Sequence, residues 1–178
     1  MKLALAFVAT MGATWPAGVS AREHVVDIIT DHHSARVMFM PQRLVVQAGD
    51  TVTWVNRQAS PHNMLTYPGG HPAGASGFGS PMLTKRGERW SVRLTTLGTY
   101  EYHCLPHVLM NMRATIIVGT PSHPSKMHRP TAGELRTYRE RLLEYFTADE
   151  IDEMPVLAQS LKPPFRMSPL AHVVAHEH

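Results

Sequence analysis

The segment Tyr102-His103-Cys104-Leu105-Pro106-His107-Val108-Leu109-Met110-Asn111-Met112 places a thiol, imidazoles and thioethers within one short stretch of chain. Donors this soft suit copper rather than magnesium or calcium. Two imidazoles and a thiolate in a plane, with a weak and long axial thioether, make a site for one-electron exchange. Cys104 and His107 supply the thiolate and one imidazole, and Met112 the thioether, with Met110 open as an alternative two residues earlier. The second imidazole must come from another part of the chain. His62, in a loop marked by Ser60-Pro61, is the histidine between the Trp54 segment and a Gly-rich stretch, and is the candidate. A shell filled by His62, Cys104, His107 and Met112 leaves no open position for a substrate, which argues for a carrier and against an enzyme. The expected cofactor is one copper ion of type 1.

Strands must position these donors. Val25 to Thr30 and Ala35 to Phe39 are rich in branched and aromatic residues and flank a polar turn. Arg43 to Gln47 and Thr51 to Asn56 read as a hairpin-like pair about the turn Ala48-Gly49-Asp50. Trp90, Val92 and Leu94 share a face, Thr99 to His103 follows a Leu97-Gly98 turn, and Ala114 to Val118 closes the set. Short strands separated by turn signals, without alternating helices, predict an all-β Greek-key sandwich. The donor segment then lies between two of its strands. Residues 66 to 81, dense in Gly, Pro and Ser, read as a long surface loop.

The 178 residues, 43% hydrophobic and 17% charged, fit one domain with appendages. Lys2, the apolar run Leu3 to Ala9 and the small-residue ending Val19-Ser20-Ala21 read as a signal peptide at 1–21, which predicts export to the periplasm. No later segment has the length and apolarity of a membrane span. A formal charge of +3 is too small to argue for nucleic acid. In an oxidising compartment the single Cys104 is a liability unless something occupies it. The β domain is expected over 22–119, followed by a linker at 120–130 and a helical extension at 131–161. Capping boxes Thr131-x-x-Glu134 and Thr147-x-x-Glu150 open its two helices, and Leu135, Tyr138, Leu142 and Tyr145 lie along one side. The tail at 162–178, with three prolines and a histidine cluster at its end, is expected to be poorly ordered.

The segments Phe39-x-Pro41, Leu44-x-Val46, Gly49-Asp50-Thr51-Val52-Thr53-Trp54, Pro61-His62-Asn63 and Gly98-Thr99-Tyr100-x-Tyr102-x-Cys104 stand in one order over residues 24 to 119. On these the chain resembles the cupredoxin family, most closely pseudoazurins and plastocyanins. The spacing from Met112 to Val118-Gly119 and the helical extension resemble the pseudoazurin pattern. Tyr102-His103-Cys104-x-Pro106-His107 is also similar to amicyanins, in which the axial methionine falls at the position of Met110. The resemblance implies outer-sphere electron transfer in which the more exposed ligand, His107, is the exit, surrounded by an apolar patch of Leu105, Pro106, Leu109 and Met64. Redox proteins would dock there briefly, and nothing requires more than a monomer.

Two other readings stay open at this level. Twelve histidines and eleven methionines allow copper delivery or storage. His103 beside Cys104 resembles copper nitrite reductases, in which such a histidine ligates a second, catalytic copper.

Overall fold

In the computed structural model, which describes residues 20–31, 35–120 and 126–153, every expected strand segment forms. The strands are β1 (Glu23–Asp31), β2 (Arg36–Met40), β3 (Arg43–Val46), β4 (Thr51–Asn56), β5 (Leu65–Thr66), β6 (Arg89–Arg93), β7 (Gly98–His103) and β8 (Arg113–Val118). They make two four-stranded sheets, in the orders β2-β1-β4-β6 and β3-β8-β7-β5. The all-β sandwich expected from the sequence is formed by these two sheets. Period-two alternation directs Val26, Ile28, Phe39, Trp54, Tyr102 and Ile116 into one core, each at most 1% exposed. At its centre the Trp54 indole N–H donates to the Tyr102 hydroxyl at 3.0 Å. The residues from 1 to 19, part of the linker (121–125), the end of the expected extension (154–161) and the tail lie outside the described residues.

The hairpin reading of β3 and β4 is corrected. β3 pairs in parallel with β8, whereas β4 pairs in parallel with β1 and antiparallel with β6, so the turn between them is a corner joining the two sheets. Asp50 makes that corner. Its carboxylate accepts from the backbone N–H groups of Arg22 and Gln47, both at 2.9 Å, and lies 2.8 Å from His24 Nε2. These bonds draw the start of β4 against the start of β1. Gly49, at φ 96°, takes the left-handed conformation that the corner needs.

Residues 66 to 81 are likewise not a simple surface loop. Phe78 is buried, with its ring 5.4 Å from that of Trp54 and 5.6 Å from that of Tyr102. Thr66 Oγ1 accepts from Phe78 N at 3.0 Å and donates to Phe78 O at 3.1 Å. A Cβ at Gly77 would stand 2.4 Å from that hydroxyl oxygen, so the segment closes only with glycine there. Single anchors of this kind leave no periodic pattern, which is why the segment read as loop.

The described part of the linker is also packed. Ala73 N donates to Lys126 O at 2.7 Å and His128 N to His71 O at 2.8 Å. Both capping boxes form, opening α1 (Ala132–Leu142) and α2 (Ala148–Glu153). Tyr138 and Leu142 are buried, and Leu135 is half-buried. Tyr145 is exposed, because α1 stops before it. Ile151 of α2 packs with Tyr138 and Leu142.

Tyr102→Phe removes the one acceptor that the Trp54 indole N–H has among the described residues and leaves that donor buried. We expect a loss of about 1–3 kcal/mol in unfolding free energy with the fold retained, measured by urea denaturation of the metal-free protein.

Candidate metal centre

Cys104 follows the last residue of β7, and the register His103↔Arg113 is the last pair of the β7–β8 ladder. The Cys104 N–H then donates to Met112 O at 3.0 Å, so residues 104 to 112 form a loop clamped at its base. A 3-10 segment from Leu105 to Met110 opens with Pro106 near its start, where no amide donor is needed. It ends at Asn111, whose φ of 58° is left-handed and whose N–H donates to His107 O and Val108 O. Asparagine tolerates that conformation better than most residues. The reversal returns Met112 to the interior, where its N–H donates to His107 O at 3.3 Å. Met112 is consequently 1% exposed and packed in the same core as Cys104, while Met110 is 49% exposed.

His62 arrives from the other sheet. It stands between β4 and β5, and pairs with Leu83 through two backbone hydrogen bonds of 3.0 and 2.7 Å. Its Nδ1 lies 3.6 Å from Cys104 Sγ, and His107 Nδ1 lies 3.3 Å from the same sulfur. The two imidazole rings are 4.6 Å apart. A first-row ion bound at about 2.0–2.3 Å to each of three donors in a plane requires separations of about 3.5–3.8 Å. The donor atoms therefore fit an ion between them with little movement.

Neighbours orient these donors. His62 Nε2 lies 2.9 Å from Ser60 Oγ and 2.8 Å from the Gln58 side-chain amide, which also takes a hydrogen bond from Thr30. With the Nε2 proton donated to Ser60 Oγ, the lone pair of Nδ1 faces the sulfur. Asn63 Oδ1 accepts from Leu105 N at 2.8 Å and ties the His62 segment to the Cys104 loop. Of these, Ser60 and Asn63 stand in motifs visible in the sequence, although nothing there assigned them a role. Gln58 and Thr30 carried no signal at all, since the contact depends on β1 lying beside β4.

Burial sets the protonation of the site. It pushes the Cys104 thiol up to about 11, against the downward pull of the Asn63 and His107 backbone N–H groups. It also lowers His62 to about 4, with His107 adding to the effect, and lowers His107 itself. Near neutrality the metal-free site holds a protonated thiol and neutral imidazoles.

His103, the other histidine of the loop, points away from this cluster. It is fully buried, stacked on Tyr67 at 4.2 Å and 3.1 Å from the Tyr138 hydroxyl. Burial lowers its pKa to about 3. Its neighbours are β5, the segment after it and α1, so a ligand from another subunit would meet them before reaching the ring. This is the contact that the sequence missed. Tyr138 showed the periodicity of a buried helical face but not what that face covers.

The expected apolar patch is altered. Leu105 and Met64 are buried, so neither belongs to a docking surface. Leu109 is 61% exposed, Met110 is exposed beside it, and Pro106 and His107 are half-buried. The 3-10 segment turns Leu105 inward and Leu109 outward, which equal weighting of the loop's apolar residues could not foresee.

Comparison with known proteins follows the same lines. The profile of copper binding proteins of the plastocyanin/azurin family matches residues 26–119. Among curated proteins, the amicyanin of Paracoccus denitrificans is 38% identical over 92 residues, 52% of this chain and 63% of the relative. The plastocyanin of Scenedesmus fuscus is 38% identical over 88 residues, 48% of this chain and 90% of the relative. Amicyanin-alpha of Methylorubrum extorquens is 32% identical over 119 residues, 64% of this chain and 98% of the relative. The matched stretch thus spans less than two thirds of the first of these relatives and nearly all of the last.

Because the imidazoles are already neutral, uptake of Cu(II) at pH 7 is expected to release about one proton per chain, from the Cys104 thiol. Calorimetric titration in buffers of different ionisation enthalpy measures it. Release of two or more protons would mean that an imidazole is charged in the metal-free site.

Proposed function

The chain belongs to the copper-binding plastocyanin/azurin family, and from that membership we propose that it shuttles single electrons between redox proteins on one copper ion held by His62, Cys104, His107 and Met112. The observation that carries this reading is the placement of two imidazole Nδ1 atoms 3.6 and 3.3 Å from one buried thiol. When bound there, copper supplies a one-electron couple. It is an electron carrier and not an enzyme, in keeping with its family.

The protein's own residues account for the rest. Cys104, His62 and Met112 are buried, so the surroundings exclude water from most of the site. The backbone clamp at Cys104 and Met112, with the Ser60 and Gln58 contacts at His62, holds the donors with little freedom to rearrange when the charge changes. Met112 would supply the thioether to the ion in this reading, since its burial beside Cys104 favours it over the exposed Met110. His107, half-buried at the surface, is the exit for the electron. Leu109, Met110 and Pro106 form an apolar rim on which partners dock briefly. Export to the periplasm, with a leader at 1–21 removed, is part of the proposal and is supported by the sequence pattern of that segment. The chain acts as a monomer. Among the described residues no helix is long and apolar enough to cross a membrane.

The test is optical. Loading with Cu(II) should give an intense thiolate-to-copper band from one copper per chain, which ascorbate bleaches reversibly. Cys104→Ser should abolish the band, and His103→Ala should leave it in place. Met112→Leu should shift the band and the reduction potential, whereas Met110→Leu should leave both unchanged. Several weakly coloured coppers per chain would instead favour storage or delivery. A shift confined to Met110→Leu would transfer the axial role.

A further inference from the structure

Away from the copper donors, three elements bring a second ligand group together. His71 comes from the segment after β5, His128 from the linker and Glu134 from the first turn of α1. One donor atom from each lies within 4.8 Å of the other two. The two imidazole rings are stacked 4.5 Å apart, with an angle of 14° between their planes.

The protonation pattern is that of a ligand set. His71 is 94% buried, being 6% exposed. Its Nδ1 lies 3.2 Å from Pro72 O, and a carbonyl can only accept, so Nδ1 carries the proton and Nε2 presents a bare lone pair. No hydrogen bond to that Nε2 is found among the described residues. A backbone carbonyl on one ring nitrogen is the usual way in which the other is prepared for a metal. Glu134 is also held in place. Its Oε2 accepts from Thr131 N at 2.6 Å and Thr131 Oγ1 at 2.9 Å, which fixes the carboxylate, and its two oxygens stand 3.0 and 3.1 Å from His128 Nε2.

The geometry points to a second metal site, formed by His71, His128 and Glu134, for a divalent ion of the zinc type. Two imidazoles and one carboxylate are a recognised zinc set, with water in the fourth position. Bonds of about 2.0–2.2 Å in a tetrahedron place donors about 3.3–3.5 Å apart. The His128–Glu134 pair, at 3.0 Å, stands slightly inside that spacing, so the ion replaces the proton between them as the two part a little and the His71 side draws in. The fourth position has room, because His71 and Glu134 also line a cavity of ≈ 400 Å³ together with Tyr67, Thr137 and Arg141. Bound there, the ion joins the sandwich, the linker and α1. It would hold in place the helix whose Tyr138 reaches His103.

The alternative is that His128 and Glu134 form a plain ion pair at the helix start. Equilibrium dialysis of the copper-loaded full chain against Zn²⁺, with metal analysis, separates the two. The wild-type protein is expected to take up one more Zn²⁺ than His71→Gln while retaining its copper. Glu134→Gln and His128→Gln should each weaken that zinc at least tenfold. Zinc held by histidines of the terminal tail would persist equally in all four proteins and cancel. The visible band reports folding in each variant, so a variant that loses both band and zinc is replaced by the surface substitution Glu134→Gln. Amide exchange over residues 132 to 142 should slow several-fold on adding Zn²⁺ to wild type and not to His71→Gln. Equal zinc uptake by wild type and His71→Gln, or exchange in α1 indifferent to zinc, overturns the site. Neither result bears on the copper reading, which stands or falls on the colour alone.

Discussion

The antiparallel pairing of β7 with β8 is the constraint from which the site follows. The ladder runs as far as His103↔Arg113 and is then extended by the Cys104–Met112 backbone bond, so the chain between them must leave and return at one point. A loop so clamped can bring Cys104 and His107 together and return Met112 to the core beside Cys104 only if its interior is correctly shaped. Pro106 starts the 3-10 segment and Asn111 reverses it. Take away the pairing, and the thiol, one imidazole and the thioether lose their common origin together.

The place of His62 depends on a different kind of restraint. His62 comes from a loop beyond the opposite sheet, and its position is fixed by bonds to Leu83, Ser60 and Gln58 and by the Asn63 bridge to Leu105. These are polar bonds in a buried place, where an unpaired group costs more than the paired one gains. The region is therefore rigid for the same reason that it is intolerant of substitution.

Much of this was legible beforehand. The strand segments, both capping boxes and the donors to be gathered could be read because each is a local pattern of two to five residues. Four features were not. The corner at Asp50 looks like a hairpin, because turn chemistry at Gly49 is the same whichever sheet the chain enters next. The segment from 66 to 81 hides Phe78, a single buried anchor without periodicity. His103 and Tyr138 meet across elements remote in sequence, and no spacing announces that. The different burial of Met110 and Met112 follows from the left-handed turn at Asn111, a backbone property that residue type merely permits.

The corner at Asp50 also bears on how the molecule is made. Because β3 and β4 enter different sheets, neither can be completed by its neighbour in sequence. β3 must wait for β8, the last strand of the sandwich, and β4 pairs with β1 only after the chain has travelled through β2 and β3. Contacts of such long range close large loops before they are rewarded, which makes for slow folding. His62 and Cys104 meet only when both sheets exist. A metal ion can thus do little to guide the early chain, and its stabilisation arrives as a lock on a structure that the polypeptide has already had to find.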